Sequence, residues 1–151
     1  MIKKSVLISI GLLLAVTSLN SLAQAQDAPY RISDRQVEQL LHRLEKDSDR
    51  FRKSVDSSLD RSRLDGTKRE DDINAFVKGY DKQTSNLYHR FKDHKSVASD
   101  VQAVLDRAAE IDRFVARHEF RNGRAQRDWA AVRADLDQLA QAYNVTWNWV
   151  G

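Results

Sequence analysis

The chain has 151 residues, 25 of them Lys or Arg and 22 Asp or Glu, for a formal net charge of +3, and it contains no cysteine. The missing thiol excludes disulfide staples, cysteine nucleophiles and thiolate metal sites. Acidic and basic residues are interspersed along the whole sequence, which reads as a solvated mixed-sign surface and speaks against the basic stripe that a nucleic-acid partner requires.

Residues 1–25 read as a cleavable signal peptide. Lys3 and Lys4 form a basic n-region, residues 5–19 are rich in Val, Leu, Ile and Ala, and Ala23-Gln24-Ala25 offers a small-x-small cleavage pattern. The apolar run is shorter than the ~20 residues of a spanning helix, and no cysteine follows the cut to carry a lipid, so no stable membrane anchor is expected after cleavage. Export to the periplasm or the cell exterior follows. Cleavage removes two lysines and no acid, which leaves 23 basic against 22 acidic residues. Residues 26–32 form a flexible leader holding the single proline, Pro29.

Residues 33–143 carry helical periodicity throughout. Ser33 with Gln36 makes a capping box, and Ile32 with Val37 a hydrophobic staple. The apolar stripe then runs Val37, Leu41, Leu44, Ser48, Phe51, Val55, Ser58 and Ser62, widened by Leu40 and Leu59, and predicts one helix of roughly 30 residues. The serines on that stripe imply close helix approach, or hydroxyls bonded to the carbonyl four residues earlier, in preference to a polar binding cavity. Leu64-Asp65-Gly66 is the expected stop, and Thr67 with Glu70 a second capping box.

The second stripe is Ile73, Val77, Tyr80, Thr84, Leu87, Phe91 and His94; the third is Val97, Val101, Val104, Ala108, Ile111, Val115 and His118, ended by Arg121-Asn122-Gly123. The fourth is Ala125, Trp129, Val132, Leu136, Leu139 and Tyr143. Alternating spacings of four and three suit knobs-into-holes packing, and short loops imply an antiparallel up-down-up-down four-helix bundle, all-α in class. Between Phe91 and Val97 no glycine or proline intervenes, with Ser96 or Ser99 as the available cap. The alternative is three long helices, the second and third fused.

Residues 144–151 change character, because Val145-Thr146-Trp147-Asn148-Trp149-Val150 alternates at strand period. Such an aromatic tail either folds back over the open end of the bundle or docks a partner through Trp147, Trp149, Tyr143 and Val145.

The chemistry-bearing residues are dispersed. In an up-down bundle His94 and His118 fall at opposite poles. His42 and His89 fall toward one pole, with Glu38 and Asp93 a turn from them, but His89 lies about 200° around the helix from Leu87 and so points outward, against a shared site. Inward Glu-x-x-His pairs, a Cys-x-x-Cys-His haem motif, a nucleophile elbow and a Gly-rich phosphate loop are all absent. Asp71 and Asp72 sit at a helix start, where the macrodipole accounts for them. No catalytic, metal-binding or cofactor-binding residue is therefore expected, and no enzyme.

The closing block, Asp128-Trp129-Ala130-Ala131-Val132-Arg133 with Asp135-Leu136 and Leu139 on through Tyr143-Asn144-Val145 to Trp147 and Trp149, resembles the C-terminal pattern of a group of uncharacterised exported bacterial helical proteins. It covers the last quarter of the chain and implies export and a helical fold, with no activity attached. Ile32-Ser33-x-x-Gln36 is similar to the Leu-Thr-x-x-Gln motif of small periplasmic stress chaperones, in one copy and with Ile and Ser replacing Leu and Thr. Together these readings imply an exported, non-enzymatic interaction or structural protein with protein partners in the envelope. A chaperone-like binder of unfolded or envelope proteins and a metal- or cofactor-binding bundle are the alternatives. The 4-3 stripes suit a monomer and an intermolecular pairing alike, so oligomeric state stays open.

Overall fold

The structure is a computed structural model that describes residues 32–117 and 123–149. The expected signal peptide, nearly all of the leader, the Arg121-Asn122 helix end and His118 lie outside the described residues. Four helices form the described chain: α1 (Asp34–Leu59), α2 (Lys68–Lys92), α3 (Ala98–Arg117) and α4 (Arg124–Ala142), with no strand among the described residues. The fold is the all-α four-helix bundle that the four apolar stripes imply.

Side-chain pairs between helices run in opposite directions. Arg52 meets Asp81 while His42 meets Tyr88, so α2 descends along α1. Arg43 meets Asp135 while Ser54 meets Asp128, so α4 does the same. Arg90 meets Asp100 while Phe76 meets Phe114, which sets α3 antiparallel to α2. The backbone of α1 approaches α2 and α4 closely, α3 keeps looser seams with the same two helices, and the diagonal pairs make no close backbone approach.

Helix α1 starts as its sequence implies. Gln36 N–H donates to Ser33 Oγ at 3.3 Å, and Ser33 N–H donates to Gln36 Oε1 at 2.9 Å. It ends at Leu59, five residues before the expected stop, so Ser62 leaves the stripe and its Oγ instead accepts the Leu64 N–H at 3.0 Å. Asp60, Ser62, Asp65 and Thr67 sit close together here, and such side chains compete with helical carbonyls for backbone donors. The second capping box is half formed. Thr67 Oγ1 accepts the Glu70 N–H, but the Glu70 carboxylate reaches past Thr67 to the Gly66 N–H at 2.6 Å. The left-handed Gly66, φ 72°, belongs to this turn, a conformation that is cheap only without a Cβ.

Helices α2 and α3 are separate, which overturns the fused alternative. Neither Ser96 nor Ser99 caps the break. His94 adopts a left-handed φ of 55°, its N–H bonds to Phe91 O at 2.9 Å, and Lys95 N–H bonds to Arg90 O at 3.0 Å. This is a Schellman stop made without glycine. His94 is consequently exposed and not on the inward stripe, and Val97 turns back into the core as the buried residue ahead of α3.

The serines act as structural fillers. Ser58 Oγ donates to Ser54 O at 2.7 Å, the bond four residues back that the stripe implies, and Ser54 Oγ donates to the Asp128 carboxylate of α4. Ser48 lies fully buried beside Tyr80, and both hydroxyls are enclosed without a hydrogen-bond partner. Burial pushes the Tyr80 phenol far above its ordinary range, with the neighbouring Ser48 offsetting a little. Nearby, Asp135 Oδ1 accepts from Arg43 Nε at 3.3 Å, while Oδ2 is enclosed and unpaired. Burial raises this carboxyl, Arg43 opposes the rise and Asp47 adds to it.

Two outcomes follow from these strained positions. His94→Gly relieves the left-handed backbone and is expected to stabilise by ~0.5–1 kcal/mol in urea unfolding, whereas His94→Val destabilises. For Asp135 the folded-state pKa lies above the unfolded value, so its contribution is most favourable at acid pH and is lost as pH rises through the folded pKa. Asp135→Asn should therefore raise the melting temperature at neutral pH relative to the unaltered chain, a gain that shrinks as the pH falls through the folded-state pKa.

Candidate functional site

The described histidines do not converge. His42 packs at a tilt against Tyr88 with ring centroids 5.3 Å apart, His89 Nε2 stands 3.8 Å from Glu45 Oε1 on the α1 side, and His94 caps the far end of α2 in the open. A carboxylate group that the periodicity does not reveal lies where the α1–α2 loop meets the first turn of α2, with oxygens of Asp60, Asp65 and Glu70 within 4.8 Å of one another. Its buried member, Glu70, is engaged in holding the Gly66 N–H. The spacing Asp-x-Ser-x-x-Asp-Gly-x-x-x-Glu over residues 60–70 is the signal that marks this loop.

The aromatic tail meets the bundle on a different side. Helix α4 ends in a second Schellman stop, with Asn144 at φ 52°, Asn144 N–H bonded to Gln141 O and Val145 N–H to Ala140 O. Asparagine tolerates this left-handed position well. The stop reverses the chain, and the following residues run back along α4 toward its N-terminus. They cover the side of the bundle facing the α3–α4 seam and not its open end. Val145, Trp147 and Trp149 are half-buried while Asn144, Thr146 and Asn148 are exposed, so the strand-period alternation seen in the sequence becomes an inside-outside alternation on the surface.

Trp149 is the anchor. Its Nε1 donates to Asp137 Oδ1 at 2.7 Å, the Arg133 guanidinium lies 4.4 Å over its ring, and its centroid stands 6.1 Å from Trp129 and 5.0 Å from Trp147. Trp129, Arg133 and Asp137 follow one another at four-residue intervals, which places them along one face of α4 directly under the tail. Trp129 is itself buried, donating Nε1 to Asp112 Oδ1 of α3 at 2.8 Å, and Arg133 reaches the same carboxylate oxygen at 3.4 Å. One acid thus orients both the indole and the guanidinium on which Trp149 rests.

Past Trp149 the seam opens into a groove of about 360 Å³, lined by Val115, Ala116, Trp129, Ala130 and, at its polar edge, Gln126 and Arg133. Gln126 Oε1 and Trp147 Nε1 are both enclosed without a hydrogen-bond partner. Of the four residues expected to dock a partner, Trp149 lines this groove, Trp147 packs edge-on against Trp149, and Val145 begins the segment that carries them. Tyr143 stays apart as the C-cap of α4, where burial and the Asp34 carboxylate raise its phenol. The period-two pattern pointed to the tryptophans but was silent on their seat, Asp112, Arg133 and Asp137.

Compared with protein-family models, with curated proteins and with solved structures, the chain matches none. The two resemblances therefore stand on their own residues alone. No helix among the described residues is long and apolar enough to cross a membrane.

Removing the shared acid tests the geometry. Asp112→Ala leaves the Trp129 indole N–H buried and unpaired and takes from Arg133 its partner across the seam, so it should destabilise by ~2–3 kcal/mol in chemical unfolding. Asp112→Asn, which keeps an acceptor, should cost about half as much or less.

Proposed function

We propose that the protein is an exported, non-enzymatic interaction protein whose binding face is the α3–α4 side of the bundle. The observation that carries the reading is the seating of Trp149 at the mouth of an apolar groove that continues beyond it along Val115, Ala116 and Ala130. Large aromatic side chains beside a partly filled apolar slot, with an arginine at the rim, are the composition of a protein-binding hot spot. Chemistry is disfavoured by what the described polar side chains are doing. Asp49, Asp81 and Asp100 are engaged with Arg52, Lys53 and Arg90, Asp112 and Asp137 with indole donors, and the described histidines share no site. The occupant this face fits is an extended protein segment bearing apolar or aromatic side chains, the same class as the tail that already lies there.

A photo-cross-linking amino acid placed at exposed Ala130 should yield a discrete protein adduct in the native envelope, while the same probe at exposed Lys46 on α1 yields none. Adducts at Lys46 with none at Ala130 would move the binding face elsewhere on the bundle, and none at either position would end the reading.

A further inference from the structure

The tail and the groove carry one step more, which rests on the interaction reading of the α3–α4 face. We propose that residues 145–149 are a releasable strap acting as an intramolecular ligand. The partner that replaces it is then an extended segment with aromatic side chains at alternate positions.

Four observations lead there. The strap sits as a peptide ligand would, with Val145, Trp147 and Trp149 turned in and Thr146 and Asn148 turned out. Its attachment comes from side chains: the Trp149 indole on Asp137, the Arg133 guanidinium over that ring, and an edge-on contact with Trp129. Among the described residues, the Val145 N–H is the last backbone group of the tail bonded to the bundle. Segments with so few backbone bonds open at lower free energy than the helices they lie on.

The seat is also incompletely satisfied. Trp147 Nε1 in the strap and Gln126 Oε1 in the groove are both enclosed without partners, and unlike Ser48, Tyr80 and Asp135 inside the bundle they lie at the α3–α4 surface, where an incoming segment could pair them. The groove extends past Trp149 to Gln126, so a longer segment would make contacts that residues 145–149 do not. Finally, the hinge is local. The left-handed Asn144 ends α4 with its own Schellman bonds, so the helix stays capped whether or not the residues beyond Val145 are seated.

The energetic consequence is self-competition. A tethered ligand is present at millimolar effective concentration, and an external ligand's apparent affinity falls in proportion to the fraction of molecules whose seat is free. Weakening the strap without touching the seat must therefore tighten binding of an outside segment, whereas a strap that is simply part of the core would give the opposite result.

The test uses the full chain and, as probe, a fluorescein-labelled peptide copying residues 144–151, Asn-Val-Thr-Trp-Asn-Trp-Val-Gly. Trp149→Ala in the protein leaves Trp129, Arg133 and Asp137 in place and is expected to bind the probe at least ~10-fold more tightly than the unaltered chain, because the seat is freed. Trp149→Phe keeps a ring on Arg133 but loses the N–H to Asp137, and should fall between the two. A probe with both tryptophans replaced by alanine should bind none of the three proteins. Equal probe affinity for the unaltered and Trp149→Ala chains would overturn the proposal, and so would loss of cooperative helical unfolding in Trp149→Ala, since the tail would then be a core element. A partner cross-linked at Ala130 together with a negative probe result would keep the binding face and discard the strap.

Discussion

One buried ring joins every part of this fold. Trp129 on α4 lies 5.0 Å from Phe51 of α1 and 5.7 Å from Tyr80 of α2, donates its indole N–H to Asp112 of α3, and carries Trp149 of the tail on its outer edge. Tilted and edge-on ring pairs add to the area that such a side chain removes from water. Losing a buried ring of this size costs about 3–5 kcal/mol, a large fraction of the stability of an ordinary domain. The position works because the indole is amphipathic: its carbon face fills the centre while its one donor meets an acid on the neighbouring helix.

The ring also explains the asymmetry of the bundle. Ser48, Ser54 and Ser58 give α1 a narrow face, and its backbone comes close to α2 and α4. On the α3 side the seams are filled by Phe76 against Phe114, Arg107 over Phe76, and Trp129 itself. Bulky contacts hold α3 farther out, and the space left between α3 and α4 is covered in part by the strap and beyond Trp149 forms the groove lined by Val115, Ala116 and Ala130. A groove at that seam is thus a consequence of which helix carries the small residues.

The hydrogen-bonding side chains, inside and at helix ends, are arranged for structure. The hydroxyls of Ser54 and Ser58, the Thr67 and Ser33 caps, and the Glu70 bond to Gly66 each satisfy a donor or acceptor that folding would otherwise strand. Ser48, Tyr80 and the inner oxygen of Asp135 remain enclosed without partners where α1, α2 and α4 meet, and burial raises both ionisable members of that set. Such a cluster is tolerated because the surrounding apolar contacts hold it in place.

Periodicity and capping chemistry are local properties, and they were legible in the sequence: four amphipathic helices, the Ser33–Gln36 box, a break in the neighbourhood of residues 92–97, and an alternating aromatic tail. Where helices stop was less legible. Competition among short polar side chains ended α1 at Leu59, and a histidine, not glycine or serine, ended α2 by taking a left-handed backbone. The seat of the tail was not legible at all, although Trp129, Arg133 and Asp137 stand four residues apart and so share a face. Spacing along one helix reveals which residues are neighbours on that helix. Only the folded chain brings Asp112 of α3 to Trp129 and lays Trp149 on Arg133, because contacts between elements depend on how far apart the helices pack, and that distance is set jointly by side chains far apart in sequence.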